Sequence, residues 1–239
     1  MTERCEVSAV IPVYNDRNAL SRAIPQSLHR LEEITDSFEL LVAEDGSDDG
    51  SAECVSSWQE RDSRVRLLHS DDRLGRGRAL TRAFLNSKGE IFCYYDVDLA
   101  TNMSHLGDLV DAVRSGCDIA TGSRLMPEST IERESKREVA SRGYNALVRF
   151  FLRSQLNDHQ CGFKAFSRTS LDTLLPNIRS THWFWDTEVL VLAQRIGLKV
   201  CEFPVTWRQG VGTTVKLSDV TGMGSEILRL WWRLHVEKD

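Results

Sequence analysis

Ile91-Phe92-Cys93-Tyr94-Tyr95-Asp96-Val97-Asp98 sets five apolar or aromatic residues, introduced by Gly89, against two aspartates one residue apart. Residues 91–95 read as a short buried strand, and its abrupt end in carboxylates orients everything around it. Side chains alternate along a strand, so the pattern sends Asp96 and Asp98 to one side and Val97 inward. Two carboxylates held this close repel unless a cation or hydrogen-bond donors neutralise them. A hard divalent ion shared with phosphate oxygens is one solution, and a solvated acidic turn is the other.

Working outward, the strand-then-acid pattern recurs. Residues 6–13 form an apolar run that ends at Pro12 and Val13 and meets Tyr14-Asn15-Asp16. Residues 38–43 form another that meets Glu44-Asp45-Gly46-Ser47-Asp48-Asp49-Gly50. Between them Leu20, Ile24, Leu28 and Leu31 fall at helical spacing over residues 18–34. A helix to Trp58, a strand at 65–68, a helix from Gly75-Arg76-Gly77 through Leu85, a helix at 106–113 and a strand at 118–121 continue the series. Such alternation predicts an α/β fold with a mainly parallel central sheet flanked by helices. Ligands of such sheets gather beyond the carboxyl ends of the strands, so the three acidic loops are expected to share one crevice. The second half is less regular. A basic helix is expected at 141–153, strands at 163–166 and 200–207, and a helix to Ile196 after Trp183-Phe184-Trp185-Asp186-Thr187-Glu188.

The 239 residues suffice for one large domain with a substantial core, and no linker divides them. A formal net charge of −5 leaves no basic excess for a phosphate backbone, so no nucleic-acid partner is expected. Arginines nevertheless cluster over residues 73–82 and 133–153, which leaves room for a local anionic ligand. No apolar stretch nears the ~20 residues that a bilayer span needs. Met1-Thr2-Glu3-Arg4-Cys5-Glu6 lacks the apolar centre of a secretory signal. The six cysteines are scattered without Cys-x-x-Cys spacing and are expected as free thiols in a reducing cytosol.

Val10-Ile11-Pro12-Val13-Tyr14-Asn15, Glu44-Asp45-Gly46-Ser47-Asp48-Asp49-Gly50-Ser51 and Tyr95-Asp96-Val97-Asp98-Leu99, in that order, resemble glycosyltransferase family 2 with its GT-A fold. Thr121-Gly122-Ser123-Arg124, Ser141-Arg142-Gly143 and Asp158-His159-Gln160-Cys161-Gly162-Phe163-Lys164 look like the polyprenyl-phosphate hexose synthases, which include the dolichyl-phosphate mannose and glucose synthases. The resemblance covers residues 6–210. It implies a single GT-A domain over 1–210 and a tail over 211–239 with an amphipathic helix. It also implies inverting transfer of a hexose from a nucleotide sugar, of GDP-mannose or UDP-glucose type, to dolichyl or polyprenyl phosphate. Mg²⁺ or Mn²⁺ would assist, and the enzyme would be cytoplasmic, peripheral on the cytosolic face of a membrane or held by a membrane partner protein.

Carried onto this chain, the nucleotide sugar falls to Pro12, Tyr14, Asp16, Ala43, Asp45, Asp96, Val97 and Asp98, with Asp98 and Asp96 on the metal. The acceptor phosphate falls to Arg124 with Arg137 or Arg142, and the wall around sugar and acceptor to Gln160, Cys161 and Gly162. Asp96, Asp98 and Arg124 form the catalytic group. Glu44 departs from the family, where an Asp is more usual.

Elementary chemistry fits these roles. Tyr14 can cover a base face, Asp45 can accept from a base N–H, and guanidinium groups grip phosphate oxygens in pairs. A phosphate acceptor is already ionised near neutral pH, so neither His159 nor His182 is required as a base. Cys161 as a nucleophile lacks a histidine placed beside it by sequence. A soluble saccharide acceptor would need a base such as Asp186, and a non-enzymatic sugar-nucleotide-binding subunit would keep the loops without turnover. Ile227-Leu228-Arg229-Leu230-Trp231-Trp232-Arg233-Leu234 joins aromatics to arginines, which suits a membrane interface, packing on its own domain, or a partner.

Overall fold

In the computed structural model, which describes residues 4–132, 135–209 and 217–237, strands and helices alternate as the hydrophobic periodicity requires. The first half runs β1 (Cys5–Val13), α1 (Arg17–Glu32), β2 (Phe38–Glu44), α2 (Ser51–Arg61), β3 (Val65–Leu68), α3 (Arg76–Asn86), β4 (Gly89–Tyr95), α4 (Leu106–Arg114) and β5 (Ile119–Ser123). The second runs β6 (Thr130–Glu132), α5 (Ser135–Leu152), β7 (Phe163–Ser167), α6 (Arg168–Leu174), α7 (Trp185–Arg195), β8 (Val200–Pro204), β9 (Thr206–Arg208) and α8 (Leu217–His235).

The main sheet has the order β3-β2-β1-β4-β7-β5-β8. Its pairs are parallel except where β7 runs antiparallel between β4 and β5. Both faces are covered, which explains why the central strands are apolar at every position rather than at every second one. Ala9, Ile11, Leu40, Val42, Cys93 and Tyr95 face one core with Leu20, Ile24, Leu106 and Leu109 of α1 and α4. Val10, Leu41, Phe92 and Tyr94 face the other, with Leu80 and Phe84 of α3 and Val189 and Leu190 of α7. Each large apolar side chain buried this way contributes roughly 1.5–3 kcal/mol. The consequence for the site is geometric: β1, β2 and β4 are adjacent and parallel, so their carboxyl ends open on one edge.

Two expectations change. The strand expected over 200–207 divides at Val205, which is buried, and β9 leaves the main sheet to pair with β6. The expectation of free thiols also fails for one pair, because Cys117 and Cys201 form a disulfide. They lie 84 residues apart, but the β5–β8 pairing brings their Cα atoms to 6.0 Å, within bridging range. Cys5, Cys54, Cys93 and Cys161 are free. Closing so long a loop restricts the unfolded chain, so Cys117→Ala is expected to cost about 2–4 kcal/mol of unfolding free energy. Urea denaturation checks this, and reductant should produce the same loss in the unaltered chain but none in the variant.

Candidate active site

Strand ends and short polar ties build the floor of the crevice. Pro12 and Ala43 are register partners in β1 and β2 and are buried. Beyond them, Asn15 adopts a left-handed backbone (φ 49°). Its amide donates to Ser47 Oγ at 2.9 Å, and its Oδ1 accepts from the Asp48 amide at 2.9 Å. Asp16 caps α1, accepting from the Ala19 amide at 3.1 Å. Asp49 accepts from the amides of Arg17 and Ser51, tying the acidic turn to the starts of α1 and α2. Glu44 is buried and accepts from the Ser47 amide, with His69 Nδ1 also 2.5 Å away.

Asp45 clamps the neighbouring loop. Its two carboxylate oxygens accept from the amides of Leu74 and Gly75, each at 2.9 Å. Gly75 has φ 101°, and a Cβ there would stand 2.4 Å from His182 Nδ1, so no other residue fits. The clamp sets the guanidinium of Arg73 4.0 Å from the centre of the Tyr14 ring. It also delivers Arg76 to the start of α3.

Arg76 is buried rather than solvated. Its Nη1 donates to Asp186 at 2.5 Å and its Nη2 to Asp96 at 2.8 Å. Asp186 in turn accepts from Lys164 Nζ at 2.8 Å and from the Tyr94 hydroxyl. Lys164 is fully buried, and its ammonium also donates to the carbonyls of Cys161 and His159. Burial pushes the Asp186 carboxyl upward, but the charges of Lys164 and Arg76 outweigh it and hold the group below its ordinary value. Sequence reasoning gave Lys164 no role. The signal was there: a lysine inside the apolar strand Phe163–Ser167 must find an anion.

Asp96 and Asp98 follow β4 directly, with Val97 turned against the core as strand alternation requires. A Cβ at Gly162 would stand 2.0 Å from Asp96 Oδ2, and the Asp96 amide donates to the Gly162 carbonyl at 3.2 Å. Gly162 therefore packs directly on the first aspartate. Asp98 accepts from the Ala100 amide at 3.1 Å and has no ion-pair partner among the described residues. Loss of solvent, then the charge of Asp96, raises its pKa above the ordinary value, with a smaller push from Asp16. This arrangement fits a divalent cation, which would relieve that repulsion. Among the described residues no group of three or more His, Cys, Asp or Glu side chains is set to hold a metal. A site of two carboxylates suits an ion that completes its shell with phosphate oxygens and water.

On the far side, Asp158 grips Arg124. Arg124 Nε and Nη2 donate to its two oxygens at 2.7 and 3.0 Å, and the Arg124 amide donates as well. Gln160 donates through Nε2 to Thr187 Oγ1 at 2.7 Å and to the Trp183 carbonyl. Burial pushes the Cys161 thiol up to about 12, which leaves it protonated and unreactive at neutral pH. Arg142 is exposed and pairs with Glu138, while the Arg137 side chain lies outside the described residues. The structure thus brings Asp16, Asp45, Asp96, Asp98 and the Asp158–His159–Gln160–Cys161–Gly162 segment around one edge, and leaves Arg142 on the helix surface.

Residues 8–175 match the family model described as Glycosyl transferase family 2. The chain belongs to that family. Glycosyltransferase AglD of Haloferax volcanii is 52% identical over 235 residues, which is 97% of this chain but only 38% of that protein. The dolichyl-phosphate beta-glucosyltransferase ALG5D of Trichomonas vaginalis is 30% identical over 244 residues, covering 96% of this chain and 75% of its own. Among solved structures, glucosyl-3-phosphoglycerate synthase from Mycobacterium tuberculosis, in complex with Mn²⁺, UDP and glucosyl-3-phosphoglycerate, superposes with a TM-score of 0.70. It shares 18% identity and covers 98% of this chain and 81% of that one. The mannosyltransferase PcManGT of Pyrobaculum calidifontis, in complex with GDP-Man and Mn²⁺, gives 0.65 at 17% identity, over 100% and 66% of the two chains. These neighbours share the GT-A architecture, as the motif order implied.

His159 reports on the wall of the site. Its Nδ1–H donates to Asn145 Oδ1 at 2.7 Å, and its Nε2 accepts from Ser154 Oγ at 2.7 Å, itself an acceptor from Gln194 Nε2. That chain has one direction and accommodates the neutral ring. Burial lowers the His159 pKa to about 4 from an unfolded value near 6.5. The unfolded chain therefore takes up the proton first, and stability is expected to fall by about 3 kcal/mol as pH drops from 6.5 to 4. His159→Gln should be less stable at pH 7 and show a shallower slope through that window, measured by urea denaturation at each pH.

Proposed function

We propose that this family 2 chain transfers a hexose from a nucleotide sugar to a polyprenyl phosphate, with inversion at the anomeric carbon. The observation that carries the reading is the state of Asp186, the carboxylate that a soluble acceptor would need as a base. Transfer to a neutral sugar hydroxyl needs a proton acceptor. Asp186 is buried against Lys164, Arg76 and Tyr94 and held below its ordinary pKa, so it is a poor one. His159 is likewise enclosed in its hydrogen-bond chain. An ionised phosphate acceptor needs no base, which matches a site built from positioning groups.

Tyr14, Asp16 and the Asp45-clamped loop would receive the nucleotide, with Pro12, Ala43 and Val97 beneath it. Asp98 and Asp96 would hold a divalent cation, Mg²⁺ or Mn²⁺, which when bound neutralises charge on the leaving nucleoside diphosphate. Arg124, fixed by Asp158 through Nε and Nη2, keeps Nη1 for an acceptor phosphate oxygen. Gln160 and Gly162 shape the wall beside it, and Arg142 or Arg137 supplies the second cationic contact. Rate then comes from alignment and electrostatics rather than from proton transfer. The relatives named dolichyl-phosphate beta-glucosyltransferases support glucose as the first sugar to test.

A membrane-borne acceptor also accounts for the outer helices. Among the described residues no helix is long and apolar enough to cross a membrane. Yet α5 exposes Val139, Leu147 and Phe150, the last at 78%, and α8 exposes Leu228, Trp231 and Trp232. At 100° per residue the α5 residues share one stripe, with Arg142 and Arg149 together along one edge of it. Apolar stripes edged with arginine suit the anionic surface of a bilayer, and we place the chain peripherally on the cytosolic face.

The test is transfer of radiolabel from UDP-glucose or GDP-mannose into organic-extractable polyprenyl phosphate by the purified chain with Mg²⁺ or Mn²⁺. Label is expected with one donor, and Asp98→Ala should reduce it by at least about 100-fold. Lipid product formed equally well by Asp98→Ala, or product found only on soluble saccharides, would sink the reading. Phe150→Glu should lower transfer in vesicles several-fold while sparing a short-chain acceptor in detergent.

A further inference from the structure

Arg76 has features that a surface arginine at a helix start would not have. Its side chain is 10% exposed, against 3% for Asp186 and 45% for Asp96. One arm of the guanidinium is fixed on Asp186, and the other reaches out to Asp96. The rings of Tyr94 and Trp183 lie 5.3 and 5.4 Å from its centre. Its backbone is fixed as well: a Cβ at Gly77 would stand 2.7 Å from Trp185 Cβ, and the Arg78 amide donates to the Thr181 carbonyl at 3.1 Å. The group is preorganised from both ends, with its outer edge turned to the first aspartate of the pair.

The charge balance gives that edge a function. Lys164 and Arg76 carry two positive charges, and Asp186 and Asp96 carry two negative ones. Lys164 and Asp186 are sealed inside, so Asp96 is the only member able to change partners. A divalent cation on Asp96 competes with Arg76 for the same carboxylate charge. Once Asp96 turns to the cation, the outer arm of Arg76 faces the crevice without a counter-ion, in a partly desolvated place where that is costly. The ligand class that restores balance is an anion with oxygens able to meet guanidinium N–H groups, which a diphosphate is.

We propose that Arg76, anchored by Asp186, exchanges Asp96 for the donor's diphosphate when a divalent cation takes Asp96, so that cation and nucleotide bind as a coupled pair. Asp186 is then a positioning residue, and Arg76 touches the leaving group. The inference rests on the donor reading above. Linkage makes the coupling reciprocal: the cation tightens nucleotide binding by the factor by which the nucleotide tightens cation binding.

The experiment titrates Mn²⁺ into the purified chain by electron paramagnetic resonance, alone and with UDP or GDP, in the unaltered protein and in Arg76→Met. For the unaltered protein, one nucleotide should tighten Mn²⁺. In Arg76→Met, Mn²⁺ alone should bind several-fold more tightly because its competitor is gone. The enhancement by nucleotide should shrink by about tenfold, within the usual range for linked sites. A merely structural arginine would instead weaken both equally or change neither, and either result overturns the proposal. Arg76→Lys keeps the charge, but its single nitrogen on a shorter side chain cannot hold Asp186 with one arm and reach out with a second as the guanidinium fork does. It should retain only part of the enhancement, which keeps the test decisive if the methionine variant fails to fold. Full enhancement in Arg76→Lys would overturn the bridging role. If the unaltered chain binds neither nucleotide with Mn²⁺, the donor reading falls and this inference falls with it. If it binds normally and Arg76→Met matches it, only the inference fails.

Discussion

The carboxylate of Asp186 is packed between Lys164, Arg76 and the Tyr94 hydroxyl, and four elements meet there: α7, β7, β4 and the start of α3. A charge this deep is tolerated only because two cations and a hydroxyl surround it, and removing Asp186 would in turn leave Lys164 buried without an anion. Through Arg76 the cluster fixes Asp96, and through the carbonyls bonded by Lys164 it fixes the His159–Cys161 segment. Both sides of the crevice therefore take their positions from one buried ion cluster rather than from the loops themselves.

The acidic loops set a different constraint. Asp16, Asp45 and Asp49 all accept backbone amides, so much of the acidity at the strand ends is structural. A carboxylate has about four lone-pair sites, so capping and ligand binding can share one residue. Asp98 also accepts one amide, from Ala100, but it is raised in pKa beside Asp96 and has no ion-pair partner among the described residues. The chain holds one carboxylate in an unfavourable state at the mouth of an otherwise neutralised site, which is where strain from like charges points to a ligand.

Much of this was legible in the sequence because strand ends carry a strong pattern. The run at 91–95 changes from apolar to acidic at one residue, and β4 ends there, at Tyr95. The buried cluster was less legible, since no periodicity links Arg76, Lys164 and Asp186. Only the misfit of Lys164 in an apolar strand announced it. The Cys117–Cys201 bridge was invisible for the same reason: β5 and β8 pair across 84 residues, and a chain read in order does not reveal its strand neighbours. For α8 the sequence left membrane, partner and domain open. Ile227 and Leu230 pack with α5 and α7, while Leu228 and Trp232 stay outside, so one helix has two apolar faces.

On the proposed function, the edge formed by β1, β2 and β4 receives a nucleoside diphosphate on a cation held by Asp96 and Asp98. A crystal of the chain grown with Mn²⁺ and UDP, with anomalous scattering recorded for manganese, tests it most directly. One strong anomalous peak is expected in contact with the carboxylates of Asp98 and Asp96, with UDP phosphate oxygens on the same ion and the base against Tyr14. Manganese bound elsewhere, or UDP lying away from the acidic loops, would contradict it.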